Sequence, residues 1–135
     1  MRVAVVDGQG GGLGKTIIER LRASFGNSIE ILALGTNALA TSVMIKAGAD
    51  EGASGENAIM VNASRVDAIL GSVGIIAANA MLGELTPVMA RSIAESRAQK
   101  ILIPFNRCHL YIVGTQSGAL PQYIDEMVEY LRTLF

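Results

Sequence analysis

The residues with the clearest chemical potential form a glycine-rich stretch near the start of the chain. Five of the seven residues from Gly8 to Gly14 are glycine. A glycine run between a strand and a helix lets backbone N–H groups approach a phosphate, and the helix N-terminus adds partial positive charge. Because five glycines exceed what a tight turn requires, the stretch predicts phosphate or nucleotide binding. The predicted site comprises Asp7, Gly8, Gln9, Gly10, Gly11, Gly12, Leu13, Gly14, Lys15 and Thr16.

Two charged residues bound this stretch. Lys15 is placed to neutralise a phosphate, and the alternative is a solvated lysine in the first turn of a helix. A cation at the positive end of a helix dipole is mildly unfavourable, so its position favours an anionic ligand. Asp7 could hold Mg²⁺ or act as an acid/base group, but the preferred interpretation is an Asx-type turn that ties down the loop.

Two later loops supply further candidate contacts. Gly35, Thr36 and Asn37 follow an apolar segment and could contact a ribose or a 2′-phosphate, although a helix cap is the preferred interpretation. Asn79, Glu84 and Thr86 lie in another loop, where Thr86 is most simply a helix cap. Asn79 has apolar neighbours and is a weaker candidate for a substrate contact, since a buried amide needs a partner.

The segment Asn106-Arg107-Cys108-His109 is the second cluster with chemical potential. Cys108 beside Arg107 could be a thiolate nucleophile of lowered pKa. Adjacent residues of an extended segment point to opposite faces, so Cys108 and His109 are not expected to work as a pair. The preferred interpretation is a buried cysteine in a hairpin turn, and Arg107 could instead bind a carboxylate or phosphate. Asn106 and Arg107 are kept with Cys108 as weak substrate contacts.

Composition excludes several classes of function. One cysteine and one histidine exclude an internal disulfide, a multi-cysteine metal site and a histidine-rich metal site, so no metal site is predicted. The charge balance, 11 Lys+Arg against 12 Asp+Glu, provides no basic patch for nucleic acid or an acidic membrane surface. The longest uncharged stretch, Ala68 to Gly83, falls short of the ~20 residues of a membrane span. With an N-terminal apolar run too short for a signal peptide, the expected location is the cytoplasm.

Alternating strands and helices must position these residues. Strands are predicted at Arg2–Val6, Ile29–Leu34, Asp67–Val73 and Lys100–Pro104, with a short third strand within Ala49–Gly55. Helices are predicted over Lys15–Ser24, from Thr36 or Asn37 to Gly48, over Glu56–Ser64, from Thr86-Pro87 to about Ala98, and from Pro121 onwards. Only five residues separate Lys100–Pro104 from the apolar Leu110–Val113, too few for a parallel crossover, so this pair is predicted to be antiparallel.

The predicted fold class is therefore α/β: a Rossmann-like three-layer sandwich with a mostly parallel sheet and an antiparallel edge strand. Residues 1–135 are expected to form a single domain. Ligands of such folds bind at the carboxyl ends of the strands. Four segments should meet there: Asp7–Lys15, Gly35–Asn37, Gly71–Gly83 and Pro104–Cys108.

The glycine stretch resembles two known nucleotide-binding patterns. Gly8, Gly12 and Gly14 fit the Gly-x-x-x-Gly-x-Gly pattern of the short-chain dehydrogenases/reductases, which implies an NAD(P)-type dinucleotide, although Asp7 stands where that family usually has threonine. The run from Gly11 to Thr16 resembles the variant P-loop of ParA/MinD-like ATPases. That resemblance implies ATP or GTP with Mg²⁺, with Lys15 on the β- and γ-phosphates and Thr16 on the metal.

Both patterns are incomplete beyond the loop. No tyrosine is followed four residues later by lysine, and Leu34, Gly35 and Thr36 occupy the region where an acid would hold the ribose hydroxyls. On the ATPase side, Gln9 and Gly10 replace the first glycine and the signature lysine of the P-loop. The NAD(P)-type dinucleotide is therefore favoured over ATP or GTP, and a non-catalytic ligand-sensing or structural subunit remains a third interpretation.

Over most of its length the chain resembles a bacterial family known only as domain of unknown function 3842. The resembling segments are VDGQGGGLGKTI, ALGTNALATSVMIKAGA, GENAIMVNA, ANAMLGELTP and ILIPFNRC. The resemblance implies a Rossmann-like fold and no particular activity. The high apolar fraction, 50%, further predicts a homo-oligomer.

Overall fold

Five parallel strands form the sheet of the computed structural model, which describes residues 1–104, 109–115 and 118–134. The strands are β1 (Arg2–Asp7), β2 (Glu30–Gly35), β3 (Glu51–Ser54), β4 (Ala68–Ser72) and β5 (Gln99–Ile103). The helices are α1 (Gly12–Phe25), α2 (Ala38–Ala47), α3 (Glu56–Asn62), α4 (Pro87–Glu95) and α5 (Leu120–Arg132), with one 3₁₀ turn at Val73–Ile76. The order across the sheet is β3-β2-β1-β4-β5, which confirms the predicted Rossmann-like α/β fold.

The alternation of side chains along β1 shows how the sheet receives helices on both faces. Val3 and Val5 join one apolar cluster, whereas Ala4 and Val6 join another. Successive side chains of a strand point to opposite faces, so a continuous apolar run serves a sheet that is covered on both sides. The first cluster receives side chains from α1, α2 and α5, and the second receives them from α3 and α4.

The edge of the sheet differs from the prediction. In the described part of the chain, Leu110–Val113 forms no strand, and β5 pairs with β4 alone. The predicted antiparallel edge strand is therefore not confirmed. Its apolar, β-branched pattern is not a sign of burial here, because Tyr111 and Val113 are 80% and 86% exposed. A short connection excludes a parallel crossover, but it does not by itself create a pairing partner.

Within residues 1–104, 109–115 and 118–134, no helix is both long and apolar enough to cross a bilayer.

Candidate functional site

A cleft of about 470 Å³ lies at the carboxyl edge of the sheet, where the strand order reverses between β1 and β4. In open parallel sheets this reversal leaves a crevice between two loops that diverge to opposite faces, and ligands bind there. The volume falls within the ~300–1,000 Å³ typical of small-molecule pockets. The described lining residues come from the loops after β1 and β4 and from the start of α5: Asp7, Gly8, Gln9, Gly10, Gly11, Gly12, Leu13, Ser72, Gly74, Ala80, Met81, Leu82 and Leu120.

Three glycines of the loop are required by packing. A Cβ on Gly8 would lie 2.6 Å from Thr36 Oγ1 and 2.7 Å from Met81 Sδ. Gly11 has a φ of 74° and faces the backbone of Ala40, which lies 2.9 Å from the position of a Cβ. A Cβ on Gly14 would collide with the side chain of Met44. These three glycines are therefore explained by close approach within the protein and by backbone conformation.

Gly10 and Gly12 have no such explanation. A Cβ built on either residue meets nothing within 4 Å, and neither has a positive φ. Both line the cleft. Within the described residues, the amides of Gly10 and Gly12 donate no hydrogen bond, whereas Gly8, Gln9, Gly11 and Gly14 each do. At the cleft, the loop thus has two small residues whose amides find no acceptor among the described residues.

Asp7 anchors the glycine loop from inside. Its buried carboxylate accepts hydrogen bonds from the amides of Gly8 at 2.8 Å and of Gly14 at 2.7 Å. These partners are one and seven residues away, so the arrangement is wider than the predicted Asx turn. Burial raises the pKa of Asp7; the amides of Gly14, Gly8 and Leu13 oppose that rise, and the charge of Glu84 adds to it. The carboxylate thus takes up the Gly14 amide at the start of α1.

Lys15 and Thr16 lie outside the cleft lining as the structure describes it. The side chain of Lys15 is exposed, and the hydroxyl of Thr16 donates to the carbonyl of Gly12 at 3.0 Å. Leu13, by contrast, is half-buried and lines the cleft. The structure therefore brings the loop itself to the cleft and leaves the two P-loop side chains on the surface of α1.

Glu84 joins the three loops at this edge of the sheet. Its Oε1 accepts hydrogen bonds from the Gln9 amide, the Thr36 hydroxyl and the Asn37 side-chain amide, each at 2.8 Å. These donors, the Gln9 amide foremost, lower the pKa of Glu84 and keep it ionised. The predicted site segment Gly71–Gly83 stops one residue short of Glu84. The sequence signal that could have identified Glu84 is an acidic residue in a loop that is expected where the strand order reverses.

The three predicted residues that end or follow β2 have different structural roles. Asn37 caps α2, because its Oδ1 accepts from the Ala40 amide at 2.8 Å. Its side-chain NH₂ reaches the glycine loop, donating to the Gln9 carbonyl at 3.0 Å. Thr36 contributes the hydroxyl bound by Glu84, and Gly35 has no room for a Cβ beside Thr41. This segment holds the loops together rather than lining the described cleft.

The loop after β4 has an unusual backbone. Asn79, Met81 and Leu82 have φ values of 66°, 60° and 57°, which side-chain-bearing residues rarely adopt. Such conformations store strain and concentrate at functional sites. Met81 and Leu82 line the cleft, and Leu82 is 98% exposed. Asn79 is exposed and shapes the turn through backbone bonds to Leu85 and Gly83, so its predicted substrate contact finds no support in the cleft lining.

Asn106, Arg107 and Cys108 lie outside the described residues. A second cavity of about 780 Å³ lies between β5 and α5, lined in part by Pro104, Ile112 and Tyr123. Across the described parts of the chain, no three histidine, cysteine, aspartate or glutamate side chains gather as a metal site.

Comparison with known proteins gives a family and a distant structural likeness. The model of a family described as Domain of unknown function (DUF3842) matches residues 2–135. No curated protein matches the sequence. The chain is similar to the dodecameric FMN-dependent Ubix-like decarboxylase from Escherichia coli O157:H7, at 14% sequence identity and a TM-score of 0.41, covering 100% of this chain and 94% of that chain. The family match gives no support to the resemblances to short-chain dehydrogenases/reductases or ParA/MinD-like ATPases.

Proposed function

The chain belongs to the family described as Domain of unknown function (DUF3842), and we propose that it binds a phosphate-bearing nucleotide in the cleft between β1 and β4. The observation that carries the proposal is the pair Gly10 and Gly12. Both line the cleft, both have room for a Cβ, and neither amide donates a hydrogen bond within the described residues. Backbone amides beside a helix N-terminus are suited to a phosphate.

An NAD(P)-type dinucleotide is the first candidate, and ATP or GTP with Mg²⁺ is the second. The positions of Lys15 and Thr16 favour the first, because neither side chain is part of the described cleft lining. The Thr16 hydroxyl also donates its proton within α1. A protein that binds the nucleotide without turning anything over, such as a ligand-sensing subunit, would use the same cleft. The apolar composition and exposed side chains such as Leu39 support a homo-oligomer.

Thermal unfolding with each nucleotide tests the proposal. The panel is NAD⁺, NADH, NADP⁺, NADPH, ATP, ADP and GTP, each with and without Mg²⁺. A ligand at ~100 times its Kd stabilises by ~2.7 kcal/mol, which raises the Tm of a domain of this size by several degrees. A Mg²⁺-independent shift with a dinucleotide supports the first candidate, and a Mg²⁺-dependent shift with a triphosphate supports the second. No shift with any member contradicts nucleotide binding.

Substitution of the two open glycines locates the site. Gly10→Val and Gly12→Val each add a Cβ where nothing lies within 4 Å, so we expect the fold to accept them while their branched side chains block the approach to the loop amides. We expect affinity for the bound nucleotide to fall about tenfold or more, since one charge-assisted hydrogen bond is worth ~1.5–3 kcal/mol. Ala23→Val, at an exposed position near the other end of α1, is the matched control. Titration calorimetry compares the three variants, and unchanged affinity in both glycine variants would place the ligand elsewhere.

A further inference from the structure

The end of β2 carries no acid in this chain, although an acid there commonly accepts the ribose hydroxyls of a dinucleotide. The structure places an acidic residue from a different element beside the end of β2. Glu84, in the loop after β4, reaches across to Thr36 and Asn37, the first two residues after β2. It also contacts the glycine loop through the Gln9 amide. A carboxylate therefore stands between the glycine loop and the end of β2.

We infer that Glu84 accepts the ribose hydroxyls of the bound nucleotide and selects a ribose without a 2′-phosphate. This inference rests on the proposed function. Three donors hold Oε1 of Glu84, each at 2.8 Å, which fixes the carboxylate in place. Glu84 is not among the described lining residues, but its Oε1 lies 3.2 Å from the position of a Cβ on Gly8, which lines the cleft. Oε2 receives no hydrogen bond from the described residues, so it retains its full capacity as an acceptor. Two vicinal hydroxyls are the complementary donors for such an oxygen.

Charge supplies the selectivity. The donors to Glu84 lower its pKa, so the group is ionised at neutral pH. No lysine or arginine occurs in the surrounding segments 7–14, 35–41 and 77–86, each of which the structure describes. Sites that accept a 2′-phosphate use a nearby arginine, and none is present in these segments. A 2′-phosphate would therefore meet a fixed negative charge with no cation from these loops to offset it.

The experiment compares ligands that differ only at the ribose. Wild-type protein is titrated with NAD⁺ and NADP⁺ by calorimetry, and with ATP and 2′-deoxy-ATP if only triphosphates bind. We expect NAD⁺ to bind at least about tenfold more tightly than NADP⁺, as expected for two like charges a few ångströms apart at a protein surface. Loss of the 2′-hydroxyl should weaken ATP about fivefold or more, since an acceptor is then left unpaired.

Variants at position 84 separate charge from shape. Glu84→Gln retains an oxygen for the three donors but removes the charge, so the preference for NAD⁺ should shrink about tenfold. Glu84→Asp retains the charge and should keep discriminating against the 2′-phosphate even if overall affinity falls. Glu95→Gln is the matched control, because α4 carries Glu95 away from the carboxyl edge, towards the start of β5. The Tm of each variant is recorded so that loss of fold is not mistaken for loss of binding.

The outcomes distinguish failure of the assignment of Glu84 from failure of the proposed nucleotide binding. Equal affinity of the wild type for both members of a pair overturns the assignment of Glu84 and leaves nucleotide binding intact. An equal loss of NAD⁺ and NADP⁺ affinity in Glu84→Gln also overturns the assignment, since Glu84 would then only hold the loops together. Absence of binding by every nucleotide overturns the proposed function and, with it, the inference.

Discussion

At the scale of single residues, Asp50 connects the start of β2 to the helices on one face. Its Oδ2 accepts from the Ile31 amide at 2.7 Å and from Arg22 at 2.6 Å. The Ile31 amide is the largest cause of a lowered pKa at Asp50, and Arg22 contributes in the same direction. Because the pKa in the folded protein lies below that of the unfolded chain, the stabilisation is present above pH ~4 and is lost as the pH falls through the folded value.

Asp50→Asn should therefore reduce stability at pH 7 and leave it almost unchanged in strong acid. We expect a loss of about 1 kcal/mol at pH 7, a small value because the side chain is 44% exposed and charge-assisted hydrogen bonds are weakened by solvent. Urea unfolding of both proteins at pH 7 and at about pH 2, well below the pKa of the unfolded chain, measures the two differences. A loss that is equal at both pH values would show that the carboxylate's charge is not the stabilising feature.

The glycine loop shows how far single residues can be interpreted from sequence. Spacing identified the stretch from Gly8 to Gly14 as the candidate site, because glycine number and position are local properties. The division into packing glycines and open glycines depends on Met44, Ala40 and Thr36, whose approach is set by tertiary structure. Glu84 was named only as a loop residue, since its partners lie 75, 48 and 47 positions away.

At the scale of elements, Thr86 begins α4 and ties it to α3. Its Oγ1 accepts from the Met89 amide at 3.1 Å and donates to Glu56 at 2.6 Å. Thr86→Ala removes the cap, which should cost about 1 kcal/mol of unfolding free energy. Thr86→Ser keeps an oxygen at the same position and should recover most of that loss. Urea unfolding measures both, and an equal loss in the two variants would assign the effect to the methyl group's packing.

Elements that are determined by neighbouring residues in the sequence were predictable, and those that are determined by distant contacts were not. Thr86-Pro87 starts α4 as predicted because capping and a proline at the first helical turn act within four residues. The short β3 was also predicted, within a stretch of small polar residues, and α3 was predicted from a segment whose pattern is ambiguous and for which a helix was favoured. Leu110–Val113 has the composition of a strand, but composition does not report whether the segment lies alongside the open edge of β5.

At the scale of the whole molecule, the sheet lies between two apolar clusters, one on each of its faces. Ile31 belongs to the cluster beneath α1 and α5, whereas Ile69 belongs to the cluster beneath α3 and α4, and both are fully buried. If residues 1–135 form one cooperative domain, damage to either face must destabilise the other. Ile31→Val and Ile69→Val make the same chemical change on opposite faces, and each should cost ~0.5–1.5 kcal/mol.

Two probes test this cooperativity. The chain has no tryptophan, and Tyr123 and Tyr130 lie on α5, so tyrosine fluorescence reports mainly the Ile31 face, while far-UV circular dichroism reports all helices. In urea, both signals should move together in both variants, because β1 and β4 pair over Val3–Val5 and transmit the loss of either core to the centre of the sheet. A variant Ile69→Val whose dichroism midpoint falls while its tyrosine midpoint stays fixed would show two independently unfolding halves. The cleft between β1 and β4 would then lie on the boundary between them, and binding of the proposed nucleotide there would restore the coincidence of the two transitions.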